Sequence, residues 1–324
     1  MIKVDIVVKN KVSEEQFENI VEEWLSGGDY TPNDIIENLI SERNAKLLPA
    51  HFYKARFSGT VSANLGYDRR EYYTVYNSQL KKHETKSRTV TDWRPFSQQV
   101  QGEVNACEYA GDKTFINLAN FIDGTGWNQN DIIIPDQAAS IDKKITSLFV
   151  SDHSQTWNDR ALKRCYDKAN QKARAGLPPS DWVRGFNSNL MFDVYSIKSV
   201  ILPFWIYTYE YQNKFYFVVV DGNNPARITG ERPINKKRRN TVRALRWIGW
   251  PSGIYLSYKL ADTYANGPNY DHEWGFLKTI GLFLLGFVIT WTIVESIVGF
   301  IKNNSKKKRM EKLREKRQNK LQKA

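Results

Sequence analysis

The sequence contains very little cysteine, with Cys107 and Cys165 as the only two thiols in 324 residues. Two thiols are too few for a disulfide framework or for a four-cysteine zinc site. The chain also lacks the phosphate-binding GxxxxGK[ST] and GxGxxG segments and the zinc-binding HExxH segment. These absences exclude the familiar sequence signatures of nucleotide hydrolysis and of metalloprotease chemistry. We therefore expect no cofactor, no metal ligand and no catalytic residue.

Histidine is also scarce, and the four residues of this type are scattered along the chain. One of them lies in the run Asp152-His153-Ser154, which contains the three residue types of a catalytic triad. Neighbours in sequence rarely form a triad, because the three side chains must converge in space. We therefore expect a non-enzymatic protein with two ordinary thiols. An enzyme with an active site in a cleft between the β regions is a further alternative, without any motif to support it.

Basic residues are abundant, but they are concentrated in two short segments. Residues 302–324 contain eleven basic and two acidic side chains, a net charge of +9. Residues 236–246 contain six basic side chains and no acidic one, a net charge of +6. Because these two values exceed the total of +12, the rest of the chain carries a net charge of −3. This distribution gives little support to a general basic groove for nucleic acid.

A long hydrophobic run separates the two basic segments. Residues 279–301 read TIGLFLLGFVITWTIVESIVGFI and contain a single ionisable group, Glu295. As a helix these residues would extend over about 34 Å, enough to cross a hydrocarbon core of about 30 Å. Glu295 is an intramembrane polar residue in this interpretation, suited to helix pairing or to snorkelling towards the interface. The alternative is a buried core helix, which the length and the flanking charges disfavour.

A second apolar stretch, residues 245–260, precedes this span and is interrupted by Gly249, Pro251 and Gly253. It is either a first span that forms a helical hairpin with the second or an interfacial helix in the headgroup region. The connecting residues 261–274 contain no Lys or Arg, whereas both outer flanks are strongly basic. The positive-inside rule then favours the hairpin, with both flanks on the cytoplasmic side.

Residues 1–10 alternate like a β-strand and do not resemble a signal peptide, which also favours a cytoplasmic body at the cell inner membrane.

The remaining chain predicts an α+β fold with a body rich in antiparallel β-strands. Residues 1–47 have the pattern of a small strand–helix–helix unit, with a capping box at Ser13 and Gln16 and a second helix opening at Thr31. Residues 48–235 are expected to form the β-rich body, in which four short strands lie between residues 57 and 109, with turns at 67–70 and 79–82. A polar helix is expected over residues 158–175.

A second β region contains a long aromatic hairpin with its turn at Gln212 and Asn213. One face of its first strand carries Trp205, Tyr207, Tyr209 and Tyr211. Cross-strand packing is the favoured interpretation of this face. A stacking surface for a ligand or for nucleic acid is the alternative.

Residues 202–233, LPFWIYTYEYQNKFYFVVVDGNNPARITGERP, resemble a recurring bacterial signature. Its elements are a Pro-x-Trp strand, a Tyr-rich strand, an Asp-Gly turn and a Gly-x-x-Pro ending. The resemblance covers roughly residues 50–300 and is to a poorly characterised family of bacterial membrane-anchored proteins, often with an N-terminal zinc ribbon and sometimes labelled helicase-like. It implies a membrane segment after the signature. This chain departs from the family because it has no paired CxxC motifs for the ribbon and no P-loop for a helicase. The matching positions are Pro203, Trp205, Tyr207, Lys214, Tyr216, Asp221, Gly222, Gly230 and Pro233, together with Tyr72, Tyr73, residues 91–95 and Gly102.

These observations predict a membrane-anchored scaffold or recruitment protein, whose partners are a bilayer with anionic lipids and an unidentified protein. The alternative is a membrane-tethered nucleic-acid-binding protein that uses the two basic segments. The same residues carry either function. The expected contacts with the membrane surface or with nucleic acid are Lys236, Lys237, Arg238, Arg239, Lys306, Lys307, Lys308 and Arg309.

Overall fold

The computed structural model describes residues 3–37, 40–77, 81–133, 148–267 and 275–323 and has an α+β fold. The chain divides into two compact units, each assembled from two separate stretches of sequence. The sheet unit contains Met1–Lys9 and Leu47–Pro203, and the helix unit contains Asn10–Lys46 and Phe204–Ala324. The two parts of residues 1–47 therefore belong to different units.

The strands form one mixed sheet. In chain order they are β1 (Ile6–Val8), β2 (Ile40–Asn77), β3 (Lys82–Tyr109), β4 (Ile132–Ile133), β5 (Trp182–Glu210), β6 (Phe215–Asp221) and β7 (Ile228–Gly230). Five of them are arranged in the order β3-β2-β5-β1-β4, and β6 pairs with the end of β5 and with β7.

The predicted antiparallel sheet is corrected at one position, because β1 lies parallel to β5. Ile6 pairs with Val200, and Val7 pairs with Ile201. A parallel pair needs a long connection between its strands, and almost two hundred residues separate these two. The period-two alternation of the first residues predicts a strand, but it contains no information about the direction of its neighbour.

A single long hairpin replaces the four short strands expected between residues 57 and 109. The β2–β3 ladder runs without a break from Ala50 opposite Tyr109 to Asn77 opposite Lys82. The expected turn at residues 67–70 is absent because its polar side chains bond across the ladder instead of turning the chain. Arg69 Nε lies 2.9 Å from Asp92 Oδ2, and the Thr91 hydroxyl donates to Asp68 Oδ1 at 2.6 Å. Residues 79 and 80 of the second expected turn lie outside the described residues.

The helices are α1 (Glu14–Ser26), α2 (Ala119–Asp123), α3 (His153–Thr156), α4 (Leu162–Ala175), α5 (Lys236–Ala265) and α6 (Gly275–Lys323), with a π-helical turn at Trp157–Ala161 and short 3₁₀ turns at Lys113–Leu118 and Gln129–Asp131. In the sheet unit, α4 buries Cys165, Ala169 and Ala173 at a four-residue spacing. These small side chains pack in one core cluster with Tyr53 and Phe57 of β2.

The helix unit has its own core around α1. The expected capping box is present, since Ser13 accepts from the Gln16 amide and Gln16 accepts from the Ser13 amide. The second helix expected from Thr31 is absent: residues 33–37 form turns, and Ile40 already belongs to β2. Ile35 and Ile36, which were expected on the apolar face of that helix, are both buried although the backbone around them forms turns.

The aromatic face of the second hairpin lies in this core. Tyr207, Tyr209 and Tyr211 are buried in one cluster with Phe17 of α1, so packing accounts for them. The turn forms where the sequence predicts it, at Gln212 and Asn213, with φ values of 52° and 58°.

Candidate functional site

The C-terminal helix α6 is long and apolar enough to cross a membrane. Among the described residues it is the single helix that meets this description, over Leu277–Asn319. Most of its apolar part is fully or partly exposed, with 6% of the most apolar window buried. Large side chains such as Leu284, Val288 and Phe300 are more than half exposed. An uncovered apolar surface of this length indicates a membrane environment rather than water.

Helix α5 lies antiparallel along this apolar part, within the same unit. Their contact follows small residues at a spacing of four on α5: Gly249, Gly253, Ser257 and Ala261. A Cβ atom on Gly249 would lie 2.5 Å from Val294 Cγ2, and one on Gly253 would lie 2.9 Å from Thr290 Cγ2. The backbone of α5 therefore approaches α6 so closely that larger side chains would collide. We call this contact the small-residue seam; such seams are typical of paired membrane helices.

One ion pair joins the two helices near the tail end of the apolar run. Arg246 Nε lies 2.9 Å from Glu295 Oε1, and Arg246 Nη2 lies 2.8 Å from Glu295 Oε2. This two-point geometry is the strongest form of arginine–carboxylate contact. Glu295, expected to pair helices or to snorkel, thus has its partner on α5. Pairing of this kind makes a carboxylate tolerable within an apolar helix, because both charges keep their hydrogen bonds.

Beyond the apolar run, α6 continues without interruption into the basic tail and packs against α1. Ser305, Arg309 and Leu313, which recur at a spacing of four, are buried. Leu313 belongs to the same core cluster as Phe17 and Val21 of α1. The tail is therefore a helix with one embedded face rather than a flexible polybasic segment.

Arg309 is fully buried and holds the loop that follows α1. Its guanidinium donates to the backbone carbonyls of Ser26 at 2.9 Å and Thr31 at 2.7 Å, and also to that of Gly28. Arg238, at the start of α5, donates to the same Thr31 carbonyl at 3.0 Å and to Asn33 Oδ1 at 2.8 Å. Both α5 and α6 thus bind one loop, residues 26–33, and we call this arrangement the arginine clamp.

The burial of Arg309 also changes its acidity. Removal from water, with the positive charge of Arg238 nearby, lowers the pKa of Arg309 to about 10. The side chain remains charged at neutral pH, and its carbonyl acceptors compensate for the lost hydration. A phosphate group cannot reach it while the clamp is closed, so we exclude Arg309 from the surface contacts predicted above.

Four further cations of the tail form ion pairs with acidic side chains that lie within the clamp loop or on either side of it in the sequence. Lys302 pairs with Asp29 at 2.7 Å, and Lys312 pairs with Glu37 at 2.9 Å. Lys316 and Arg317 pair with Glu22 and Glu23 of α1. The net charge of +9 in residues 302–324 is therefore partly neutralised within the unit.

The other predicted contact residues differ in exposure. Arg238 and Arg239 are half-buried, and Lys307 has a distant partner, Glu311, at 4.0 Å. The residues that present their side chains to solvent are Lys236, Lys237, Lys306, Lys307 and Lys308.

Two sets of residues important to this site were not recognised from the sequence as a site. The small-residue seam is visible as a spacing of four from Gly249 to Ala261, but these glycines first indicate interruptions of a span. The acidic partners of the tail, such as Glu22 and Asp29, carry no recognisable signal because they lie almost three hundred residues away from it.

The sheet unit does not assemble the local run of Asp152, His153 and Ser154 into a triad. Asp152 caps α3, accepting from the Gln155 amide at 2.7 Å, whereas His153 Nε2 lies 2.8 Å from Ser199 Oγ. The run Asp152-His153-Ser154 therefore does not converge as a triad.

Both cysteines are buried, and burial raises the pKa of Cys165 to about 11, so its thiol stays protonated and unreactive. Over the described residues, no three His, Cys, Asp or Glu side chains are grouped to hold a metal ion.

Comparison of the chain with protein-family models, with curated protein sequences and with solved structures gives no match. The family resemblance proposed from the sequence therefore stays a prediction.

Proposed function

We propose that this protein is a non-enzymatic recruitment protein, anchored in the cell inner membrane by the hairpin of α5 and α6. The observation that carries the proposal is the continuity of α6, whose uncovered apolar half leads directly into a half embedded in a folded core. Such a helix ties the membrane rigidly to the helix unit. A flexible tether, in contrast, would leave the basic tail in solvent.

The core of the helix unit supports two crossings rather than one. Tyr209 and Val218 precede α5 in the chain, and Leu313 follows the apolar run of α6, yet all three share one core cluster. Residues in one core must lie on the same side of a bilayer. If α6 crosses between residues 218 and 313, the chain has to cross a second time in the same interval. Helix α5 is the segment available for that crossing.

Helix α5 is less apolar than α6. It can still cross a membrane in our proposal, because one of its faces is covered by α6 and does not contact lipid. Its small residues face α6, Trp247 faces outward and is 79% exposed, and Trp250 contacts Trp291 of α6 with 4.7 Å between the ring centroids. Lys259 lies near the end away from the clamp, from where a lysine can extend its ammonium group to the interface. Most exposed basic side chains of the two helices then lie at the clamp end, whereas Lys259 and Lys278 lie at the other end, and the positive-inside rule assigns the more basic side to the cytoplasm.

The exposed lysines provide a supporting contact with anionic lipids. Lys306, Lys307 and Lys308 follow the end of the apolar run at Ile301 by about 8 to 11 Å of helix. Such a position lies within the range of a negatively charged headgroup layer at physiological salt, where a lysine can contribute about 1 kcal/mol. The body on the same side would hold its protein partner at this surface.

The pairing of α5 with α6 can be tested by disulfide cross-linking in isolated membranes. A Cβ atom on Gly249 would lie 3.5 Å from Val294 Cβ, and disulfides need a Cβ separation of about 3.5–4.5 Å. We therefore expect Gly249→Cys combined with Val294→Cys to cross-link efficiently on mild oxidation. The native cysteines are buried and should not compete for the new thiols. The matched control is Trp247→Cys with Val294→Cys, which places one thiol on the outward face of α5. Equal cross-linking in both pairs would contradict the seam.

The alternative, a nucleic-acid binder that uses the two basic segments, has less support. Arg309 and four other cations of the tail are bound within the helix unit. Replacing Lys306, Lys307 and Lys308 by glutamate would decide between the two functions. We expect this triple variant to weaken the attachment of the exposed surface to anionic lipid without changing DNA binding.

A further inference from the structure

A polar cavity of about 500 Å³ lies in the helix unit beside the clamp loop. Its walls come from three segments: the end of the clamp loop, the β5–β6 hairpin and the residues that lead into α5. Its volume is within the range of small-molecule binding sites. We call it the turn cavity; its lining includes Asp34, Tyr211, Lys214, Tyr216, Asn235 and Lys236.

Hydrogen bonds hold the three walls of the turn cavity in place. The Tyr211 amide donates to the Lys214 carbonyl at 2.9 Å, which closes the turn of the hairpin. The Asn235 amide donates to the Tyr30 carbonyl at 2.8 Å, which ties the start of α5 to the clamp loop. Tyr211, which is 5% exposed, donates its hydroxyl to Asp34 Oδ1 at 2.9 Å. The cavity is therefore preformed, as ligand sites usually are.

Three hydrogen-bond donors of the lining have no partner in the part of the chain that the structure describes. They are the ammonium groups of Lys214 and Lys236 and the hydroxyl of Tyr216. Both lysines are exposed, so the cavity opens to solvent, and Tyr216 is half-buried with its ring stacked on that of Tyr209. The one carboxylate among the described lining residues, Asp34, already accepts from Tyr211. The donor set therefore offers two positive charges and a hydroxyl to an anion.

A phosphate monoester matches this donor set. It carries up to two negative charges near neutral pH and three strong acceptor oxygens, one for each donor. Lysine is a common ligand of phosphate groups. A carboxylate has one charge and two oxygens, so it matches the three donors less well. A phosphate group alone is much smaller than the cavity, and Asp34 and Gln212 border the remaining space with groups that bind hydroxyls.

We propose that the turn cavity binds the phosphate monoester of a small polyol. Lys214, Tyr216 and Lys236 bind the phosphate, and the other polar groups of the lining bind the polyol. The ester is either free in solution or the headgroup of a phospholipid, since Lys236 precedes the apolar stretch of α5 at residue 245 by about 13 Å of helix. This inference concerns the helix unit and does not depend on whether α5 and α6 cross a membrane.

The test is isothermal titration calorimetry of the full chain in uncharged detergent micelles with glycerol 3-phosphate. The cavity variant is Lys236→Gln. The matched control is Lys237→Gln, because Lys237 is the next residue, is also exposed and does not line the cavity. Both replacements remove one positive charge from the first turn of α5, so they differ in their position relative to the cavity. Tyr216→Phe removes the hydroxyl and keeps the aromatic ring.

We expect Lys236→Gln and Lys214→Gln each to weaken binding about tenfold, because each loses a charge-assisted hydrogen bond to the phosphate. Tyr216→Phe should weaken it about fivefold, and Lys237→Gln by less than a factor of about two. Equal losses in Lys236→Gln and Lys237→Gln would overturn the assignment of the cavity. Equally tight binding of succinate or of unphosphorylated glycerol would overturn the assignment of the ligand.

A second titration distinguishes the two sources of the ester. It uses a short-chain phosphatidylglycerol phosphate, whose headgroup ends in the same glycerol phosphate, added to the micelles. Binding at least tenfold tighter than that of glycerol 3-phosphate would support the proposal with a lipid headgroup as the source, and weaker or equal binding would support it with the free ester. Absence of binding of both probes to the unmodified chain would overturn the proposal. The micelles hold the chain whatever its topology, so this result would leave the membrane hairpin unaffected.

Discussion

Arg309 is the residue on which the arrangement of the tail depends most. Its guanidinium supplies hydrogen bonds to three carbonyls that helix α1 and its following loop leave without a helical partner. The C-terminal carbonyls of a helix need such donors, and a cation near them also favours the helix dipole. Arg309 therefore has a structural role, because its guanidinium donates hydrogen bonds that hold the loop after α1. This role is separate from any contribution of its charge to topology.

Replacement of Arg309 by alanine should destabilise the helix unit. The Ser26 carbonyl would lose its arginine donor, the Gly28 carbonyl would keep only the long bond from the Thr31 amide at 3.4 Å, and the side-chain volume would be lost, for a cost of about 3 kcal/mol. In hydrogen exchange, the amides of α1 should then exchange roughly a hundredfold faster. Arg314→Ala is the control, because Arg314 is exposed in the same tail and should change exchange by less than a factor of about three. Equal protection of α1 in both variants would contradict the clamp.

His51 introduces a pH dependence into the sheet unit. Burial lowers the pKa of His51 to about 4, whereas an unfolded histidine has a pKa near 6.5. Its Nε2 lies 2.9 Å from the Ser151 carbonyl, and its ring centroid lies 4.2 Å from that of His153. The folded state thus holds this imidazole neutral at pH values where an unfolded chain would protonate it.

The stability of the sheet unit should therefore fall as the pH decreases from 6.5 towards 4. The unfolded chain binds more protons in this window, and the free energy of unfolding should be on the order of 2 kcal/mol lower at pH 5 than at pH 8. Hydrogen exchange in β2 at the two pH values, corrected for intrinsic rates, measures this difference. His51→Gln should flatten the profile, and His83→Gln on the exposed end of the β2–β3 hairpin should leave it unchanged. A profile insensitive to His51→Gln would show that other groups cause the pH dependence.

At the scale of elements, the sequence predicts best where a local pattern determines the structure. The capping box at Ser13, the turn at Gln212 and Asn213 and the apolar run of α6 are all local, and each is present. The division of β2 and β3 into four strands was wrong because a polar run was interpreted as a turn. The ion pair of Arg69 with Asp92, which crosses the ladder where a turn was expected, joins residues that no local window connects.

The candidate site shows the same limit. Hydropathy is sufficient to place the apolar run and Glu295 within it, but the partner Arg246 lies on another helix. All four cations at residues 306–309 were predicted to contact anionic lipid or nucleic acid, because nothing local marks the partners within the chain: acidic residues such as Glu22 and Glu37 lie near its other end. Its buried positions recur every four residues, and Leu313 is the single apolar member of the three, so no apolar stripe marks the embedded face.

At the scale of the whole molecule, the central claim is that the chain enters and leaves the membrane on the same side. The start of α5, the end of α6 and the core of the helix unit must then share one compartment, and the connection between the helices must lie in the other. The shared core cluster of Tyr209, Val218 and Leu313 supports this claim independently of the distribution of basic residues.

The most direct test is the labelling of single cysteines with a membrane-impermeant maleimide in spheroplasts. Three exposed positions are informative: Lys237→Cys at the start of α5, Thr263→Cys near its end and Glu315→Cys in the tail. The native cysteines are buried and contribute little background. We expect Thr263→Cys to be labelled in intact spheroplasts, and Lys237→Cys and Glu315→Cys to be labelled only after lysis. Labelling of Lys237→Cys and Glu315→Cys from opposite sides, or of all three from one side, would contradict the hairpin.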